Sequence, residues 1–301
     1  MTLDSNFVKK FGNSFSENVN LSNYSWFNLG GNAEYFYKAK DKNQLVEFLR
    51  EAKKKNLKTT TLGAGSNTLF RDNGVKGAVI KLGKDFSYIK MIDRDILEVG
   101  AATLDRKVAN FAKDNNVGNL EFLSCIPGSI GGAIIMNSGC YENDISKILI
   151  SIRAIDKKKL SEIEIKKEDI KFSYRGTNLP DDLIIVSVKL KGSIGIKKEI
   201  EKKQHDFIER KKLSQPNQIK TCGSTFKNIS NDKKAWMLIK ESGCEHLQVG
   251  DAMISQKHCN FFVNNGAAKS SDIENLIKKV KNKVHEKTGV NLELEIKIIG
   301  E

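Results

Sequence analysis

An α+β fold is predicted by three features of the 301-residue sequence. Amphipathic helical stripes lie near residues 41–56, 103–115 and 271–289, a sheet-like apolar stretch runs from Ile148 to Leu190, and glycine-rich segments interrupt both patterns. From Asp41 to Asn56, Leu45, Phe48, Leu49 and Ala52 recur at helical spacing, and Asp41 with Gln44 three residues on has the form of a capping box. That helix feeds a strand over residues 57–62, which runs into Gly63-Ala64-Gly65-Ser66-Asn67. Asp72-Asn73-Gly74 then turns the chain into a short strand over 77–82, with no helix after the glycines. Residues 103–115 read as a second amphipathic helix with Leu104, Val108, Phe111 and Ala112 on one side.

The middle of the chain reads as sheet. Ile148, Ile150, Ile152 and Ala154 share one face, Ile163 and Ile165 form another short run, and 183–190 reads as a more fully buried strand. A charge-laden helix over 196–213 ends near Pro216, a seam before a C-terminal domain. There Ala235, Leu238 and Ile239 stripe one helix ending at Gly243. Ile273, Leu276, Ile277, Val280 and Val284 stripe another, with Ser271 and Glu274 expected to cap it and Gly289 to stop it. Residues 292–299 alternate strictly, with Leu292, Leu294, Ile296 and Ile298 pointing one way and Glu293, Glu295 and Lys297 the other.

Composition narrows the function classes. A chain 39% hydrophobic and 29% charged can build two or three modest cores. The first ten residues lack the pattern of a leader, and no apolar run approaches the roughly 18 to 20 residues of a membrane span, so a cytoplasmic protein without membrane insertion is expected. Five scattered cysteines without metal-ligand spacing predict reduced thiols and no metal. The formal charge of +13 lies in scattered lysine runs interleaved with Glu and lacks an aromatic platform, so no nucleic-acid partner is expected. A monomer is the expected state.

Two glycine clusters carry the first chemical signal. Gly63 to Asn67 after a strand suits a diphosphate, because the backbone can approach closely and offers successive N–H donors. The segment fails the dinucleotide fingerprint, since Thr68 stands at the third glycine position, and it lacks the lysine of a P-loop. On its own a tight turn explains it as well. Ile126-Pro127-Gly128-Ser129-Ile130-Gly131-Gly132 followed by Asn137-Ser138-Gly139 is harder to dismiss. Two such segments in one domain suit a long ligand with a pyrophosphate and a ring system. Three further clusters stand out: Phe172-Ser173-Tyr174-Arg175-Gly176, Cys222-Gly223-Ser224-Thr225-Phe226-Lys227-Asn228, and Leu292-Glu293-Leu294-Glu295-Ile296. Singly, each has a dull reading as a surface charge, a turn or a solvated strand face.

Taken in order, these segments resemble the UDP-N-acetylenolpyruvoylglucosamine reductases. The family's Gly-x-Gly-Ser-Asn and Ile-Pro-Gly-x-x-Gly-Gly flavin segments, its Ser-Tyr-Arg, its Gly-Ser-x-Phe-Lys-Asn and its C-terminal Glu-Val/Ile are matched at Gly63–Asn67, Ile126–Gly132, Ser173–Arg175, Gly223–Asn228 and Glu295-Ile296. The similarity extends from about Asn23 to Glu301, including Phe27-Asn28-Leu29-Gly30-Gly31 and Ser255-Gln256-Lys257-His258-Cys259-Asn260-Phe261. Departures are small: Ile229 stands where proline is common, and Cys222 varies the residue before Gly-Ser. The length and the lack of a long C-terminal insertion look like the shorter subtype.

The resemblance implies an FAD-binding fold of the vanillyl-alcohol-oxidase type, with FAD-binding subdomains at 1–83 and 84–195 and a UDP-sugar-binding domain at 196–301. It implies NADPH-dependent reduction, through FAD, of UDP-N-acetylglucosamine enolpyruvate to UDP-N-acetylmuramate. Gly63, Ala64, Gly65, Ser66, Asn67, Pro127, Gly128, Ser129, Gly131, Gly132, Asn137 and Gly139 would contact FAD. Arg175 would meet charge developing on the substrate carboxylate, Glu295 would join it, and Ser224 would supply the proton. Spacing alone does not choose Glu295 over Glu293; the resemblance does. Tyr174, Lys227 and Asn228 would hold substrate, with Lys227 also assisting Ser224, and the basic residues of Glu209-Arg210-Lys211-Lys212 are further candidates for its phosphates. The competing readings are a flavin oxidase of the same superfamily and a flavin-binding protein without turnover. Neither explains Arg175, Ser224 and Glu295 together.

Overall fold

The computed structural model describes residues 5–230 and 232–301, so the first four residues of the stretch read for a leader lie outside it. The chain divides into two compact units. The first takes the chain up to Glu17, Tyr35–Ala64 and Gly77–Lys211; the second takes Asn18–Glu34, Gly65–Lys76 and Lys212–Glu301.

In the first unit the helix Lys42–Lys54 starts as its sequence demands, with the Asp41 carboxylate accepting the Gln44 N–H at 2.9 Å. Its apolar face buries Leu45, Phe48, Leu49 and Ala52. Phe48 stacks on Tyr37 with ring centroids 3.9 Å apart and meets Phe7 and Phe11 edge-on. Burying a side chain of that size contributes about 1.5–3 kcal/mol. The helix leads into the strand Thr59–Leu62, at the edge of a four-stranded sheet ordered Phe15–Asn20, Asn32–Ala39, Val75–Leu82, Thr59–Leu62.

A five-stranded antiparallel sheet forms the rest of this unit, ordered Ser161–Lys166, Leu149–Asp156, Leu183–Lys191, Ile96–Gly100, Ile89–Asp93. Its central strand Leu183–Lys191 buries both faces. Ile185, Val188 and Leu190 join a core with Val108, Ala109 and Ala112 of the helix Asp105–Asp114, while Ile184 and Val186 join the aromatic core around Phe48. That is why the strand reads as a continuous apolar run. Two expectations fail nearby. Ile148 closes a short helix, Ile145–Ile148, and register shifts at Leu149/Ser151 and Arg153/Ala154 break the alternation, so Ile155 is buried and Ile150 only partly. Leu104 precedes its helix rather than striping it, and is 45% exposed.

The second unit packs the helix Ser270–Thr288 on a three-stranded sheet of Gln248–Val249, Ala252–Ile254 and Phe262–Asn264. Ile273, Leu276, Ile277, Val280 and Val284 are buried as expected, and Gly289 stops the helix at φ 69°. The start differs from the expected Ser271–Glu274 box. Asp72 accepts the Ser270 and Ser271 N–H groups at 2.8 and 2.9 Å, Asp272 accepts that of Lys269, and Glu274 pairs with Arg71. Residues 292–299 are not one strand. Only Lys297–Ile299 pairs in a ladder, parallel to Thr68–Phe70. No helix among the described residues is long and apolar enough to cross a membrane.

Candidate active site

Within the first unit Gly63, which opens the first glycine cluster, meets the second cluster at Ser129. A Cβ placed on Gly63 would approach only the Ser129 Oγ, at 3.0 Å, and one placed on Gly132 only the same oxygen, at 3.8 Å. The two segments therefore leave bare main chain on either side of one buried hydroxyl, which fits a phosphate-bearing cofactor lying against backbone. The Gly63 carbonyl is fixed by the Lys81 ammonium at 2.6 Å. Ser129 precedes the short helix Ile130–Ile135, which sequence periodicity did not anticipate, and Gly128 O accepts the Asp105 N–H at 3.2 Å. Asp105 has no signal in sequence reading. It is fully buried, both carboxylate oxygens lack a hydrogen-bond partner among the described residues, and burial holds its pKa well above the usual carboxylate range.

Arg175 sits in the same unit on the tight hairpin between Phe172–Ser173 and Gly176–Thr177, with φ 60°. Its guanidinium donates to Gly139 O at 3.1 Å and lies 4.9 Å from the centre of the Tyr174 ring, which is 48% exposed. Asn137, expected to touch FAD, is buried and braces this hairpin. Its amide donates to Ser173 O at 3.1 Å and its carbonyl accepts the Ser146 N–H at 3.1 Å. Lys211 is bonded to Cys125 O at 2.6 Å, with its pKa lowered by burial.

In the second unit three short segments lace together around Thr225. Thr225 N donates to Asn260 O at 2.8 Å, and Glu295 N donates to Thr225 O at 2.8 Å. Isolated bridges pair Ser224 with Phe261 and Phe226 with Leu294. The buried Asn260 side chain completes the frame, accepting from Phe226 N at 2.9 Å and donating to Phe226 O at 2.8 Å. Ser224 and Glu295 thus stand on adjoining main chain, both half-buried. Gly223 turns the chain at φ 81° with open space where a Cβ would point.

Asn67, in the same unit, ties into this frame: its side-chain amide donates to Glu295 O at 3.0 Å and its main-chain carbonyl accepts the Lys297 N–H at 2.9 Å. Gly65, at φ 70°, could carry no side chain: its Cβ would lie 1.8 Å from Tyr24 O. Glu293 instead points to solvent and pairs with Lys227 at 3.5 Å, its side chain 75% exposed. Asn228 accepts the Ala235 N–H at 3.1 Å, pinning the helix Ala235–Glu241. Burial raises the Cys222 thiol to about 11 and lowers the His258 imidazole. Among the described residues no three His, Cys, Asp or Glu side chains gather as metal ligands.

Comparison with known proteins bears on both units. Residues 33–158 match the FAD binding domain family, and residues 215–299 match the C-terminal domain of UDP-N-acetylenolpyruvoylglucosamine reductase. The reductase of Pelagibacter ubique (strain HTCC1062) is 43% identical over 298 residues, covering 97% of this chain and 98% of that one. The chain belongs to the UDP-N-acetylenolpyruvoylglucosamine reductase family. The family's enzyme from Rickettsia canadensis (strain McKiel) is 41% identical over 286 residues, covering 95% and 96% of the two chains. The crystal structure of the Thermus caldophilus reductase superposes with a TM-score of 0.81 at 32% identity, over 93% of this chain and 97% of that one. The α+β fold with an FAD-binding part is thereby that of the reductase family.

Proposed function

We propose that Arg175, Ser224 and Glu295 carry the chemistry of the reaction that family membership assigns, the NADPH-dependent reduction of UDP-N-acetylglucosamine enolpyruvate to UDP-N-acetylmuramate in peptidoglycan precursor synthesis. When bound, FAD supplies the two-electron step between NADPH and the enolpyruvyl double bond. Gly63, Ala64, Gly65, Ser66, Asn67, Pro127, Gly128, Ser129, Gly131, Gly132 and Gly139 would hold it, with Asn137 supporting the hairpin beside them.

Adding hydride to the terminal carbon of the double bond drives negative charge toward the substrate carboxylate. The Arg175 guanidinium is suited to that charge because it is planar, permanently cationic and able to fork onto two oxygens. A donor aimed at developing charge contributes about 3–4 kcal/mol. Ser224 then gives its proton to the carbon bearing the ether oxygen. Glu295 orients the carboxylate with Arg175. Lys227 and Tyr174 hold the substrate's charged groups; the Lys227–Glu293 pair is exposed enough for substrate phosphate to replace Glu293. Asn228 anchors the end of the same loop.

The observation that carries this reading is the Thr225 frame, which joins the Ser224 and Glu295 main chains through one residue. The test separates the half-reactions. In Ser224→Ala, NADPH should bleach the flavin at the normal rate, whereas the enolpyruvyl sugar should no longer restore its colour; normal recovery would remove Ser224 from the mechanism. The same proposal treats 1–83, 84–195 and 196–301 as two FAD-binding subdomains and a UDP-sugar domain. It has the enzyme work as a cytoplasmic monomer with no nucleic-acid partner, which sedimentation of the flavin-loaded enzyme checks for oligomeric state.

A further inference from the structure

Asn260 pins the Ser224 frame, and each of its polar groups is taken. Its carbonyl accepts the Thr225 N–H at 2.8 Å, and its side chain closes both bonds on Phe226. The remaining group, its own N–H, donates to Nδ1 of His258 at 3.2 Å. Among the described residues, His258 is thus the one hydrogen-bond partner of Asn260 outside the Thr225-Phe226 segment. The same histidine also holds the next residue: its carbonyl accepts the Phe261 N–H at 2.9 Å, and Phe261 is bridged to Ser224.

The imidazole has little room to turn away. It is half-buried, meets the Phe261 ring edge-on with centres 4.8 Å apart, and lies 6.4 Å from the Trp236 ring on the helix Ala235–Glu241. Neither ring titrates. Lys240 of that helix pairs with Glu245 at 3.7 Å, Lys257 reaches Lys212 O, and Cys259 lies near Glu245 and Lys240. No charged side chain among the described residues shifts the imidazole. Burial lowers its pKa, against a weaker upward pull from its own main chain. A ring whose Nδ1 accepts a hydrogen bond carries its proton on Nε2, so the neutral form is the one that fits here.

We propose that neutral His258 is a positioning residue for Ser224, holding the Asn260 N–H through Nδ1, and that its protonation slackens the frame and slows proton delivery to the substrate. An entering proton must take the Nδ1 lone pair, which is the atom the Asn260 N–H already uses. An imidazolium is a donor at both nitrogens, so two N–H groups then face each other and the buried amide loses its acceptor. Asn260 must shift, and Thr225, next to Ser224, is bonded to it. Because folding favours the neutral ring, its support is complete above about pH 6.5 and drains away as pH falls through the lower folded-state value. Ser224 acts in substrate reduction alone, so flavin reduction by NADPH should show no such dependence.

The effect on rate rests on the proposed role of Ser224, whereas the contact between His258 and Asn260 does not. The test follows both half-reactions of the flavin-loaded enzyme from about pH 5 to 8, with His258→Asn and His258→Leu beside it. An asparagine side-chain carbonyl accepts an N–H two residues on, as in an Asx-turn, and does not titrate. In the unsubstituted enzyme substrate reduction should fall by about 10- to 100-fold on the acid side, the effect of a misplaced reacting group. His258→Asn should keep the rate seen at neutral pH and lose the acid fall, whereas His258→Leu should be slow by a similar factor at every pH. A flat profile in the unsubstituted enzyme, an acid fall that survives in His258→Asn, or a His258→Leu enzyme of full speed overturns the proposal and leaves Ser224 in place. If Ser224→Ala restores the flavin colour normally, the reading of Ser224 fails instead, and the Asn260 amide proton resonance decides the contact. That resonance should move with pH in the unsubstituted enzyme and stand still in His258→Asn; standing still in both overturns the contact as well.

Discussion

Ser224 and Arg175 both stand on short connections, yet the two units hold them by different means. The Ser224 loop is laced into neighbouring chain on both sides: Asn260 closes two hydrogen bonds on Phe226, Thr225 bridges Asn260 and Glu295, and Gly223 alone carries the left-handed turn. The Arg175 hairpin pairs through two residues on each side, keeps Arg175 itself at φ 60°, and relies on Asn137 and Gly139 for support. A proton donor must meet one carbon from one face, so its main chain gains from rigidity. A long guanidinium carries its own reach and its charge acts over distance, so its backbone tolerates a looser mount.

Removing the donor should have the largest effect. Ser224→Ala is expected to lower kcat by about 100- to 10,000-fold, confined to substrate reduction, as separate measurement of the two half-reactions would reveal. Arg175→Ala should follow, at about 100- to 1,000-fold in kcat. Arg175→Lys should recover little of that loss, because an ammonium cannot fork onto a carboxylate. A full rescue by lysine would mean that only charge matters at this position, and the contrast in mounting would lose its chemical rationale.

Asn260→Ala tests the rigid side of the comparison without touching a reacting group. It leaves the buried Phe226 N–H and carbonyl without their partner, which should cost about 2–4 kcal/mol in urea unfolding. Because Ser224 rides on the same segment, kcat for substrate reduction should also fall while flavin reduction by NADPH is unchanged. A stability loss with unaltered kcat would show that the frame supports the fold and leaves the chemistry alone.

What was legible in the sequence follows the same division between local and distant causes. The helix Lys42–Lys54 with its Asp41 cap, the buried strand Leu183–Lys191 and the Gly289 stop are written in neighbouring residues, and they stand where periodicity put them. The glycine clusters announced close backbone approach, and Gly65 and Gly63 show two versions of it: one position is closed by the chain itself, the other left open beside Ser129. The start of Ser270–Thr288 was misread because its cap is Asp72, 198 residues away from Ser270. The choice of Glu295 over Glu293 needed the resemblance, since alternation puts both on one face. In the fold the backbone of Glu295 joins Thr225 and Asn67, while Glu293 faces water. Asn260 lay inside a quoted motif without a role, because a side chain that braces backbone leaves no periodic trace.

Asp105 gives the smallest and most selective test, on the side of the molecule that carries Arg175. It opens the helix Asp105–Asp114, where the helix dipole would favour a carboxylate by about 0.3–1 kcal/mol. Complete burial without a partner costs several kcal/mol and wins, so the folded chain keeps this carboxyl protonated. The unfolded chain releases the proton above about pH 4. A raised folded-state pKa stabilises below the unfolded pKa, and that stabilisation drains away as pH climbs toward the folded one. Its slope in this window is about 1.4 kcal/mol per pH unit. Asp105→Asn removes the titration while keeping the shape. Relative to the unsubstituted enzyme, its unfolding free energy should shift by an amount that is constant below pH 4 and grows in the variant's favour as pH rises. Parallel stability curves across that range would mean that the carboxyl ionises in place, and that it has a partner in the flavin-loaded enzyme which the protein's own side chains do not provide.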